Sequence, residues 1–231
     1  MVQMGVHPLN ECVQRLKAHI LTFVPNGILL DINAELSDVM CYADTKLKMV
    51  VATNPSLRVC EQISEYAVSK PKIYVLNVDI TTYDGIIKLY TFMAGGRVSM
   101  VFWRYSKYFK SNSLFDYFCD ILNGIMSDEA TLHMLTVDKD MCEQYIKSKS
   151  IGFNASNNVF FDRGSELVVE QPTHTVYEIL THLTRLFHFS TQKCLHDVAM
   201  SHAIDLTPVN YHLAKCHTMV CVTRKVHTPL A

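Results

Sequence analysis

Glycine is scarce in this chain of 231 residues: there are 8, and none falls between Asp31 and Asp84. Proline is as rare, at 7, and the two shortages exclude a collagen-like repeat and a low-complexity linker. No sign of charge dominates. With 21 Lys+Arg against 22 Asp+Glu the formal net charge is -1, so any contact with nucleic acid has to come from a local patch. Long apolar runs are missing as well. Stretches such as 27–30 and 98–103 fall far short of the roughly 20 residues that cross a bilayer, which predicts no transmembrane segment and no membrane partner. The opening Met-Val-Gln-Met-Gly-Val-His-Pro has neither the basic start nor the apolar middle of a secretory signal, and predicts an intracellular protein, cytoplasmic or nuclear.

What is present is apolar material, 49% of the residues, enough for one domain over 1–231. The eight cysteines stand singly with no CxxC pair, the usage of reduced, mostly buried thiols. Cys194, His196, His202, His212, Cys216, His217 and Cys221 invite a metal reading. If 217–226 is a strand, Cys216 and His217 point to opposite faces, and His217 and Cys221 lie about 13 Å apart. A tetrahedral ion with ligand bonds of about 2 Å cannot span that, so no metal site is expected.

Leu9, Cys12, Val13, Leu16, Ile20 and Phe23 recur at helical spacing and predict an amphipathic helix, stopped by Pro25-Asn26-Gly27. Buried strands follow at 28–32, 48–53, 72–78, 98–102 and 131–137. Helices are expected between several of them: one from Leu57 to Ala67, one capped by Ser113, and a short one over 138–147. Segment 152–169 reads as an inserted β-hairpin or lid turning near Asp162-Arg163-Gly164, and a helix over 173–187 precedes a closing strand pair. The alternation predicts an α/β domain with a Rossmann-like, mostly parallel sheet, an antiparallel C-terminal strand and the inserted hairpin.

Certain residues sit at the ends of these elements. Lys17 lies on the first helix, Asp31 ends the first strand, and Asn33 to Ser37 lead to Asp38. Asn54 ends the second strand and Asp79-Ile80 the third; after the fourth comes Trp103-Arg104-Tyr105-Ser106-Lys107-Tyr108-Phe109, and near the end Val176-Tyr177-Glu178. In this order the chain resembles the class I S-adenosylmethionine-dependent methyltransferases, and within them the mRNA cap guanine-N7 methyltransferases. The resemblance implies that Lys17 meets the cofactor carboxylate and that Asp31 and Asn33 border the methionine loop. It puts Asn54 at the ribose, and Asp79 with Ile80 at the adenine. Arg104, Tyr105, Lys107, Tyr108, Tyr177 and Glu178 would face the cap or the RNA. Read from the residues alone, Lys17 is a solvated helix lysine and Asp79 the cap of a turn.

The chain departs from the family where glycine would allow φ > 0 and close approach of a ligand: Asn33, Ala34, Glu35 and Ser37 fill that loop. Asn54 replaces the acid that takes both ribose hydroxyls. The resemblance offers S-adenosylmethionine as cofactor; the filled loop predicts that none binds. The expectation is a degenerate domain acting as a non-catalytic structural or stimulatory subunit, with a protein partner in an RNA capping, transcription or replication complex. The alternative is an active guanine-N7 methyltransferase, since N7 has a free lone pair and its methylation is positioning with no general base. Finally, 85–115 contains no acid but carries Lys88, Arg97, Arg104, Lys107 and Lys110 among Trp103, Tyr105, Tyr108 and Phe109. That pattern suits single-stranded RNA, or a basic helix face packed on a core.

Overall fold

A computed structural model describes residues 8–22, 26–104, 109, 111–148, 152–154, 159–161, 168–170, 175–204 and 211–225. The strands are β1 (Ile28–Ile32), β2 (Met49–Asn54), β3 (Ile73–Asn77), β4 (Val98–Arg104), β5 (Met126–Val137), β6 (Gly152–Asn154), β7 (Val159–Phe161), β8 (Val168–Glu170), β9 (Phe187–Cys194) and β10 (His217–Arg224). The helices are α1 (Pro8–Leu21), α2 (Leu36–Met40), α3 (Leu57–Ala67), α4 (Tyr83–Phe92), α5 (Asn112–Ile125), α6 (Lys139–Lys147), α7 (Val176–Leu183), α8 (Leu195–Ser201) and α9 (Tyr211–Cys216).

Seven strands form one sheet in the order β3-β2-β1-β4-β5-β10-β9, with β10 antiparallel to both neighbours and the other pairs parallel. This is the expected α/β architecture. Alternation along the strands sends Leu30, Val51, Val101, Trp103 and Val220 to the face packed by α4, α5 and α7. Leu29, Val50, Met100 and Phe102 go to the opposite face, which packs with α1, α2 and α3 and, through Leu135 and Met219, with α8.

Several helix starts are written in their caps. Ser56, Thr82, Asp138 and Thr175 each accept an N–H from the first turn of the helix that follows. For α5 the cap is Ser111 rather than the expected Ser113, because the Ser111 hydroxyl is the one that reaches the Leu114 N–H. The expected helix over 173–187 is shorter, because Phe187 opens β9 and is fully buried there. The inserted segment holds three strands, β6-β7-β8, paired antiparallel, where a two-stranded hairpin was expected; its turn at 162–164 lies outside the described residues.

Glycine matters at one close approach. A Cβ on Gly85 would sit 1.9 Å from the Asp79 carbonyl oxygen, so α4 can pack on the turn after β3 only without a side chain there. All eight cysteines are free thiols. No helix among the described residues is long and apolar enough to cross a membrane.

Candidate functional site

The strand order reverses beside β1, whose two neighbours are β2 and β4. In open α/β sheets the crevice beyond the carboxyl ends of the strands at such a point is where ligands sit. The elements around it carry charged residues into the interior. Lys17 is 4% exposed, while Asp31 and Asp38 are fully buried. The Lys17 Nζ lies 2.9 and 3.1 Å from the two Asp31 oxygens and 3.3 Å from Asp38 Oδ2, and it stands 5.4 Å from the centre of the Phe102 ring. The reading of Lys17 as a solvated helix lysine is therefore corrected: Val13 and Ile20 lie four before and three after it, which puts Lys17 on the buried stripe.

The two carboxylates are held differently. Burial pushes the Asp31 carboxyl up, with the charge of Asp38 adding to the rise, against the pull of Lys17 and the hydroxyl that Tyr42 donates to Oδ2. Asp38 feels the same burial, yet it lies below the ordinary carboxylate value. Lys17, the Arg104 guanidinium 3.4 Å from each of its oxygens and the Glu35 N–H at 3.0 Å outweigh the desolvation. Glu35, half-buried beside them, is pushed up mainly by burial. The four principal charges cancel, as a buried set must.

The loop after β1 is laced to the strand tips on both sides. Asn33 takes a left-handed backbone, φ 60, a conformation that asparagine tolerates better than most residues, and its amide donates to the Arg104 carbonyl at 2.8 Å. The Ala34 N–H donates to the Thr53 carbonyl at 2.9 Å. Asn54 closes the arrangement: its Nδ2 donates to the Ala34 carbonyl at 2.9 Å and its Oδ1 accepts the Ser56 N–H at 2.8 Å. Both ends of the amide named for the ribose thus have partners within the chain.

Asp79 folds back on its own turn, Oδ1 accepting the Thr81 N–H and hydroxyl at 3.0 and 2.6 Å, and Ile80 is buried in the core beneath α4. Glu178 forms a capping box with Thr175, and Tyr177 projects from α7 at 79% exposure. Tyr105, Lys107 and Tyr108 lie outside the described residues. Within the acid-free stretch, Trp103 and Phe109 are buried and packed with Phe115 and Phe118. Neither presents a face for a base. Arg97 caps the Gly124 carbonyl, and Lys88 pairs with Asp84 on the surface.

The structure therefore brings together Lys17, Asp31, Asn33 and Arg104 with three residues the candidate set did not name, Glu35, Asp38 and Tyr42. Tyr42, eleven residues after Asp31 and beyond a glycine-free loop and a one-turn helix, gave no periodic signal. Among the described residues no group of three His, Cys, Asp or Glu side chains could hold a metal ion.

No family model matches the chain, and no curated protein matches it by sequence. Solved structures match its fold. An S-adenosylmethionine-dependent methyltransferase from Clostridium acetobutylicum superposes with a TM-score of 0.62 at 9% identity, over 98% of this chain and 95% of that one. The magnesium protoporphyrin IX methyltransferase of Synechocystis, with bound S-adenosylhomocysteine, gives 0.57 at 10% identity over 97% and 89%. The [4+2]-cyclase SpnF gives 0.55 at 9% identity over 93% and 81%. The chain has the class I methyltransferase fold, and a fold that also houses a cyclase leaves the activity to be argued from the site.

Proposed function

We propose that this chain is a degenerate methyltransferase-like domain that performs no methyl transfer and acts as a structural or stimulatory subunit, with the cap guanine-N7 methyltransferases as its relatives in design. Its partner is a protein of an RNA capping, transcription or replication complex. The observation that carries the reading is the closed loop at the switch point: Lys17 and Asp31 are buried against each other, and Asn54 is bonded to Ala34 and Ser56. Methyl transfer to a lone pair rests on positioning, and positioning requires that these groups face the cofactor. To do so here they would have to break a buried ion pair and the two hydrogen bonds of Asn54, a cost of several kcal/mol before any ligand contact forms.

Calorimetric titration with S-adenosylmethionine and S-adenosylhomocysteine tests this. No binding heat up to millimolar ligand is expected. Micromolar binding of either compound overturns the reading and restores the alternative of an active guanine-N7 methyltransferase. The subunit role is read separately, by adding the chain to the cap-methylating enzyme of the same source. A rise in kcat/KM is expected, and a rate unchanged by equimolar chain rejects it.

A further inference from the structure

A cavity of about 670 Å³ lies on the sheet face that carries α1 and α8, between those two helices. Its floor crosses four strands at mid-length, where Met100 pairs with Thr131, Cys221 with His133 and Thr191, and Met219 with Lys193. It is thus separate from the strand tips where Asn33, Asn54 and Arg104 meet. The volume falls in the range of sites that enclose a drug-sized molecule.

The lining has a distinctive chemistry. Toward α2 and α3 this face is mostly apolar, as Leu29, Val50 and Phe102 show, with Asp31 its charged exception at the strand tip. Across the cavity floor it turns polar, with Thr131, His133, Thr191 and Lys193, while Ile20, Met100, Val198 and Met219 supply apolar wall. Thr191 and Lys193 are exposed on the edge strand β9, whereas Thr131 and His133 are partly buried, and polar groups drawn out of water need partners. His133 has one: its Nε2 lies 3.2 Å from the Thr131 hydroxyl, and its ring packs against Phe102. Burial pushes the imidazole down to about 4, so at neutral pH it is an uncharged hydrogen-bonding group. Among the described residues no carboxylate lines the cavity, the one permanent charge is Lys193, exposed at the rim, and Lys193 has no ion-pair partner.

We propose that this cavity binds a small anionic amphiphile, an apolar or aromatic body bearing a single carboxylate, sulfonate or phosphate. The anion lies on Lys193, the body on Met100, Met219 and Ile20, and a polar edge of the body meets His133 and the hydroxyls. This inference does not rest on the proposed lack of methyl transfer.

The test uses the full chain and two fluorescent probes of the same shape, 8-anilinonaphthalene-1-sulfonate and the uncharged N-phenyl-1-naphthylamine. The sulfonate is expected to saturate a single site. Lys193→Glu, at an exposed position, is expected to weaken the sulfonate about tenfold and leave the neutral probe within about twofold. Ser201→Trp, which fills the rim from α8, is expected to abolish binding of both. An unsaturable signal, no binding, equal loss of both probes in Lys193→Glu, or no effect of either substitution overturns the proposal. So does displacement of the probe by S-adenosylhomocysteine, which would place it in the crevice at the strand tips; that result is distinct from the calorimetric one, in which the nucleoside binds alone.

Discussion

Lys17 shows how one side chain can hold a region closed. Among the described residues its ammonium is the only cation that touches both Asp31 and Asp38, so removing it leaves two buried carboxylates facing each other. Lys17→Met is expected to cost about 3 kcal/mol or more, read as a lower urea midpoint at unchanged m-value. Adding Asp31→Asn should recover part of the loss, because the second change removes the charge left unpaired. A double variant no more stable than Lys17→Met would show that the ammonium acts through packing on Phe102 instead. The inner stripe beside Lys17 was legible in Val13, Leu16 and Ile20, but its burial was not, because lysine is ordinarily solvated and it is Asp31 and Asp38 that hold it inward. Tyr42 and Glu35 were not readable, since their place depends on how a loop without glycine turns, and that is fixed by Asn33 adopting φ 60 and bonding to Arg104 across the sheet.

At the level of elements, the strands and capped helices follow from local chemistry. The central strands were legible as apolar runs ending in polar residues, and β1 occupies 28–32 as read. Helix α4 was not, because its outer side carries Tyr83, Ile87 and Tyr90, all exposed, and an apolar outer face blurs the period that Ile86, Leu89 and Met93 set on the inner one. The short α2, α8 and α9 span too few residues to display a stripe at all. Gly85 is the element-scale test of this packing. Gly85→Ala drives a methyl into the Asp79 carbonyl, and a loss of about 3 kcal/mol in thermal or urea unfolding is expected. A neutral substitution would mean that α4 shifts freely on its turn, and that the turn held by Asp79 and Thr81 does not fix it.

For the whole molecule, a fold shared over almost its full length with proteins at about 9% identity rests on patterning rather than on particular side chains. Its stability should depend on pH through a group far from the strand tips. His133 is pushed below its ordinary value to about 4 by burial, so the unfolded chain binds its proton more readily than the folded one. The contribution is fully present above about 6.5 and is lost as pH falls toward 4, at up to about 1.4 kcal/mol per pH unit. The melting temperature is expected to drop over that window, and His133→Gln should flatten the drop. A variant with the same slope as the parent would assign the effect to other groups.

The closed set of Lys17, Asp31 and Asp38 has a further consequence, for ionic strength. Mobile ions screen charges that they can approach, over about 8 Å at physiological salt. They reach the surface pairs Glu11 with Arg15 and Asp84 with Lys88, but not an ammonium and two carboxylates sealed between α1, α2 and β1. The seam across the strand tips should therefore stay shut in concentrated salt, where surface pairs have lost their hold.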